Sequence, residues 1–144
     1  MTPAQISLVQ NSFSQVVPIR DVAAGLFYDR LFALDPATRT LFTNSDMGAQ
    51  GQKLMATIGT VVAGLGRPEA VVPAAQALAR RHVGYGVTAA HYGIVGEALL
   101  WTLERGLGEG FTPEVRCAWV KVYGVLAATM QAGAAEVADL RAAE

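Results

Sequence analysis

Charge is scarce in this chain. Only 16% of its 144 residues are Asp, Glu, Lys or Arg, and the formal net charge is −1. Such a chain offers no electrostatic footprint for nucleic acid or an acidic membrane surface. Cysteine is scarcer still: Cys117 is the only one. An internal disulfide is excluded, and a cytoplasmic location is expected. One cysteine with two histidines, His82 and His91, is too small a ligand set for a structural zinc site. Long apolar runs are missing. The uncharged stretch Leu54–Gly66 falls short of the roughly 18 apolar residues that read as a membrane span. The N-terminus, Met1-Thr2-Pro3-Ala4-Gln5, has no charged start followed by an apolar run, so no signal peptide is expected. Strand alternation, internal repeats and low-complexity linkers are absent. So are GxGxxG, the P-loop, GxSxG and HExxH. Hydrolase and phosphoryl-transfer chemistry therefore has no foothold.

What is present is apolar. Hydrophobic residues make up 52%, a surplus for a chain whose length predicts one domain spanning 1–144. Something beyond the core, a cofactor or a partner, is expected to cover the excess. The pattern is helical throughout. Thr2, Pro3 and Gln5 read as a capping box, and Ile6, Val9, Phe13 and Val16 recur at helical steps up to Pro18. A second helix is predicted from Asp21 to Leu34, with Ala24, Tyr28, Leu31 and Phe32 on its core face. A third runs from about Met47 to Leu65 with Gln50, Leu54, Thr57, Ile58 and Val61 on one stripe. A fourth covers Glu69 to Arg81 and ends at His82, with Gly84 and Gly86 breaking it. A fifth carries Tyr92, Val95, Leu99, Thr102 and Leu103. A sixth opens at Thr112-Pro113-Glu114 and carries Trp119, Val122, Tyr123, Leu126 and Met130. The Ala-rich tail, about 133–144, is expected to fray.

Three polar residues sit on apolar faces. His82 shares a face with Ala75, Leu78 and Ala79. An imidazole so placed is a soft ligand for iron or zinc, although a partly buried histidine bonded to backbone is the commoner outcome. Tyr28 brings a hydroxyl inward, and a buried hydroxyl needs a partner; its tip could equally reach the surface. Gln50 could simply face solvent from a first turn. Trp119 and Tyr123, taken singly, read as core.

Taken in order, Pro36 with Leu41-Phe42, Lys53-Leu54-Met55, Leu78 with Arg81-His82, Gly86-Val87 with His91-Tyr92, and Ala118-Trp119 with Val122-Tyr123-Gly124 resemble a globin. The likeness is to bacterial single-domain haemoglobins and the haem domain of flavohaemoglobins, and it covers about Gln5 to Met130. It implies an all-α globin fold of six to eight helices around a haem pocket, with haem b as cofactor. His82 then resembles the proximal iron ligand, and Phe42 the aromatic against the haem face. Tyr28 and Gln50 resemble the distal pair over the sixth coordination position, with Leu54 one turn beyond Gln50. Tyr92 matches a proximal-side tyrosine. Leu78, Tyr85, Val87, Val95 and Tyr123 would line the cofactor, and Lys53 and Arg81 would meet its propionates. Donors in a low-dielectric pocket stabilise a diatomic ligand that carries partial negative charge.

One position departs from the flavohaemoglobin pattern. The last-helix glutamate that hydrogen-bonds the proximal histidine there is matched here by Ala134. Glu136 stands two residues on, roughly 200° round a helix, and is expected to point elsewhere. The resemblance thus implies reversible binding of dioxygen, or of carbon monoxide or nitric oxide, with weak peroxidase-like push. Nitric-oxide dioxygenation is the enzymatic alternative. The chain has no flavin or nicotinamide region, so turnover would need a separate reductase. A haem-based gas sensor, or a non-haem interaction module of the same fold, is the remaining reading.

Overall fold

Thr2 caps α1 (Pro3–Val16) with the expected box. Its hydroxyl accepts from the Gln5 N–H at 3.1 Å, and the Gln5 side chain accepts from the Thr2 N–H at 3.0 Å. The computed structural model describes residues 1–43, 45–84 and 88–143; at 68, 70, 74, 81, 83, 84, 89 and 133–143 it describes the helix alone. Pro18 interrupts the helix ladder and leaves a 3-10 turn, Val17–Ile19, before α2 (Arg20–Leu34). Asp35 closes α2 and caps the next element, its carboxylate accepting from the Ala37 N–H at 3.1 Å. That element, Pro36–Phe42, turn-like in sequence, is a 3-10 helix. Asp46 then caps α3 (Met47–Ala63) by accepting from the N–H groups of Gly48 and Ala49. The remaining helices are α4 (Pro68–Gly84), α5 (Ala89–Leu107) and α6 (Pro113–Ala143). Gly108, at φ 57°, ends α5 in a backbone conformation that favours glycine.

Six α-helices and no strand occur among the described residues, the all-α architecture expected. None of the helices searched is long and apolar enough to cross a membrane. One sequence expectation needs correcting. α4 does not end at His82 but runs on to Gly84, because one glycine at a helix end weakens the helix without forbidding it. The last helix runs to Ala143.

α4 lies on α6, α2 lies on α5 and α3, and α1 packs against α6 and α3. The largest buried side chain is Trp119, 2% exposed, in a cluster with Val9, Phe13, Val16, Met55 and Leu103. Its indole N–H is not stranded: it donates to the Ser12 hydroxyl at 2.8 Å, and that hydroxyl donates to the Val9 carbonyl at 3.0 Å. Ser12 is itself buried, so no water can replace it cheaply. Ser12→Ala should therefore cost about 1–3 kcal/mol by stranding a buried donor. Ser14→Ala, an exposed serine with the same local bond to a carbonyl three residues back, should change stability by less than about 0.5 kcal/mol. Urea denaturation of both variants checks this; equal losses would overturn it.

Candidate functional site

Tyr28 lies on the inner face of α2 in a nest of aromatic rings. Phe27 meets it edge-on at 5.0 Å, Phe42 edge-on at 5.4 Å, and Phe32 at 6.1 Å between centroids. Phe42 also meets Phe32 at 5.7 Å. Leu31 and Ala98 complete the buried part, with Leu54, Val95 and Leu99 packed against it. Edge-to-face pairs of this kind fix ring orientation as well as burying area. Tyr28 is 7% exposed, and burial pushes its phenol above the ordinary 10.0. A side-chain hydrogen bond with Gln50 pulls the other way. Gln50 is held by the first turn of α3, its N–H donating to the Asp46 carbonyl at 2.9 Å. Its side chain is half-buried and reaches Tyr28 rather than solvent alone.

His82 anchors a second cluster. Its Nδ1 stands 2.8 Å from the Leu78 carbonyl, one turn back on α4. A carbonyl only accepts, so Nδ1 carries a proton. Around this turn, Ala75, Ala79, Tyr92, Ala127 and Met130 are buried, with Leu78, Tyr123 and Leu126 packed against them. The Tyr123 hydroxyl donates to the Tyr92 carbonyl. Burial pushes both phenols up; for Tyr123 the neighbouring Tyr92 adds to the rise, and a hydrogen bond with the Gly96 backbone opposes it.

One helix joins the two clusters. α5 puts Tyr92 among the residues around Leu78 and, three positions on, Val95 among those around Tyr28. His91 takes no part in either. It closes a capping box at the start of α5, its Nδ1 accepting from the Thr88 N–H at 2.9 Å.

Residues 25–130 match the globin family. The chain belongs to the globin family. A flavohemoprotein of Bordetella parapertussis is 37% identical over 103 residues, covering 70% of this chain and 26% of the relative. One from Deinococcus radiodurans is 31% identical over 132 residues, covering 90% of this chain and 33% of the relative. A Bacillus subtilis flavohemoprotein is 28% identical over 124 residues, 85% of this chain and 31% of the relative. The globin thus spans about a quarter to a third of the length of these curated relatives.

Of the residues singled out by sequence, Tyr28, Phe42, Leu54 and Val95 gather in one cluster, with Gln50 bonded to Tyr28. Leu78, Tyr92 and Tyr123 gather in the other, where the Leu78 carbonyl binds His82. Lys53 is exposed on α3. Tyr85 and Val87 lie outside the described residues, and so do the side chains of Arg81, Ala134 and Glu136. Sequence reasoning missed Phe27 and Gly96. A Cβ on Gly96 would stand 2.6 Å from Tyr123 Cε1, and a lone glycine inside a helical pattern is the signal for such a close approach.

Gly96→Ala should accordingly destabilise the globin by about 1–3 kcal/mol through overpacking, although alanine is the better helix former. Adding Tyr123→Leu should recover part of that loss. Chemical denaturation of the two singles and the double measures the coupling; strict additivity would refute the clash. The raised phenols also set a pH dependence. Below the ordinary 10.0 both folded and unfolded tyrosines are protonated, and stability is flat on their account. Above it the unfolded chain ionises first, so stability falls as pH rises. Tyr28→Phe and Tyr123→Phe should each flatten that alkaline slope in denaturation midpoints recorded between about pH 9 and 11.

Proposed function

We propose that this globin binds haem b between the two clusters and holds dioxygen reversibly beside Tyr28 and Gln50. The observation that carries the reading is the His82–Leu78 hydrogen bond, which orients the imidazole on α4 and sets its tautomer. The surroundings fit that group. Among the described residues no three His, Cys, Asp or Glu side chains come together as a metal site. A single imidazole suits a metal whose other ligands come with it in a flat apolar macrocycle. Apolar and aromatic side chains stand on both sides, joined by α5.

Ferrous haem supplies an open coordination position for a diatomic gas. The chain supplies the rest. His82 is the iron ligand, and the Leu78 carbonyl fixes its tautomer. Phe42, Leu78, Tyr92, Val95 and Tyr123 line the cofactor, and Lys53 is a propionate partner. The Tyr28 hydroxyl and the Gln50 amide are hydrogen-bond donors for polarised dioxygen. The Phe27, Phe32, Phe42 and Leu54 side chains keep water from competing with them. A cytoplasmic location and a role in oxygen binding or transport belong to the same proposal. Nitric-oxide dioxygenation with a separate reductase is the second reading, favoured by the similarity to flavohemoproteins.

Absorption spectra and gas kinetics test this. His82→Ala should lose stoichiometric haem or need added imidazole to keep it, whereas His91→Ala should keep a normal Soret band; the reverse pattern would overturn the ligand assignment. Glutamine is a poor iron ligand, so the ferrous protein without added gas should give a five-coordinate, high-spin spectrum. Tyr28→Phe should remove a hydrogen bond worth about 1.5–3 kcal/mol to a polarised acceptor. That is roughly a ten- to hundredfold faster dioxygen dissociation, with a smaller effect for Gln50→Leu and little change for carbon monoxide. Equal dioxygen off-rates in wild type and Tyr28→Phe in stopped flow would remove Tyr28 from the site.

A further inference from the structure

Two cations share one aromatic ring where α2 meets α5 at the surface. The Arg30 guanidinium lies 5.1 Å from the centre of the Trp101 ring, and the Arg105 guanidinium 4.9 Å from it. Stacking on the ring is attractive, but the two like charges repel each other. Among the described residues neither guanidinium has a carboxylate within ion-pair reach. Asp29, Glu97 and Glu104, within about a turn of this trio in sequence, are exposed and pair with neither. Arg30 Nε is shut off from water and has no partner, a burial that costs free energy. The charge of both side chains is left for an acceptor from outside.

The same flank continues as apolar surface. Val22, Leu26 and Arg30 stand at i, i+4 and i+8 of α2, on one slowly turning stripe. Val22 is 63% exposed and Leu26 half-buried. Ile19, 37% exposed, reaches across to α5, where its Cδ1 would stand 3.4 Å from a Cβ on Gly106, the neighbour of Arg105. From Ile19 to Arg30 the strip runs for roughly 16 Å, room for about three turns of a second helix.

We propose that this strip is a docking surface for an acidic amphipathic helix of a partner protein. The apolar side chains of that helix lie over Ile19, Val22 and Leu26, and two carboxylates one turn apart meet Arg30 and Arg105. Charge complementarity selects the acidic end, because two guanidiniums without a counter-charge favour carboxylates. Arginine and tryptophan are also the residue types that carry most of the energy at protein interfaces. Stacking on Trp101 holds both guanidiniums in place beforehand, so less side-chain freedom is lost on binding. An anionic bilayer is disfavoured: it presents negative charge on every side, and Asp29, Glu97 and Glu104 would face it. Tyr28 points inward from the same helix, so the inference does not rest on the gas-binding reading.

Fluorescence anisotropy of a labelled peptide, titrated with the full chain, tests this. The peptide is an alanine-based helix of about 16 residues, long enough to form in water, with two leucines at one end and two glutamates one turn apart at the other. It should bind, and replacing both glutamates by glutamine should weaken binding roughly three- to thirtyfold. Arg30→Glu combined with Arg105→Glu should lose the glutamate peptide and gain one with lysines in the same places. Arg30→Gln combined with Arg105→Gln, which removes the charges without reversing them, should bind the glutamate and glutamine peptides equally. Val22→Asp, at a position too exposed for folding to depend on it, should weaken the glutamate peptide at least threefold. No binding of the glutamate peptide, equal affinity of the wild type for the glutamate and glutamine peptides, or a reversed variant that does not gain the lysine peptide would each overturn the proposal. Phosphatidylglycerol vesicles should not bind; vesicle binding lost in the Arg30→Gln, Arg105→Gln variant would give the strip to a membrane and overturn it too.

Discussion

Tyr123 can lie against α5 only because position 96 has no side chain. The ring fills the place a Cβ would take, and its hydroxyl bonds the Tyr92 carbonyl one turn earlier. That contact ties α5 to α6. α6 in turn carries α4, and α5 carries α2 on its other side. The helix bearing His82 and the helix bearing Tyr28 are therefore spaced through α6 and α5 in turn. Side chains three apart on a helix share a broad face, so Tyr92 and Val95 serve adjacent clusters without bending α5. A slip of α5 by one residue would misplace both at once.

The interior of both clusters is polar in a restricted way. It uses phenols, with a half-buried amide and imidazole beside them, and among the described residues no carboxylate or ammonium side chain is buried. Burial keeps Tyr28, Tyr92 and Tyr123 protonated beyond their ordinary range. At neutral pH these groups act as donors of fixed hydrogens, not as charges. Neutral donors cost far less to desolvate than ions, which is how a chain with so little charge can still offer directed polarity inside.

Much of the fold and of the site is legible from local pattern. The capping box of α1, the core face of α2, and the misfit of Tyr28 and Gln50 on apolar stripes are all properties of residues within a few positions of one another. Features that depend on residues far apart in sequence are not legible. Phe27 lies beside Tyr28 in the chain, yet nothing local says that its ring, with Phe32 and the distant Phe42, encloses the hydroxyl-bearing ring. The need for glycine at 96 becomes visible only once Tyr123 is across from it. Gly84 reads as a stop for α4, yet the helix runs on to it, because a single glycine at a helix end weakens the helix without ending it. The family likeness supplies the order of the fragments, and the packing supplies the reason they converge.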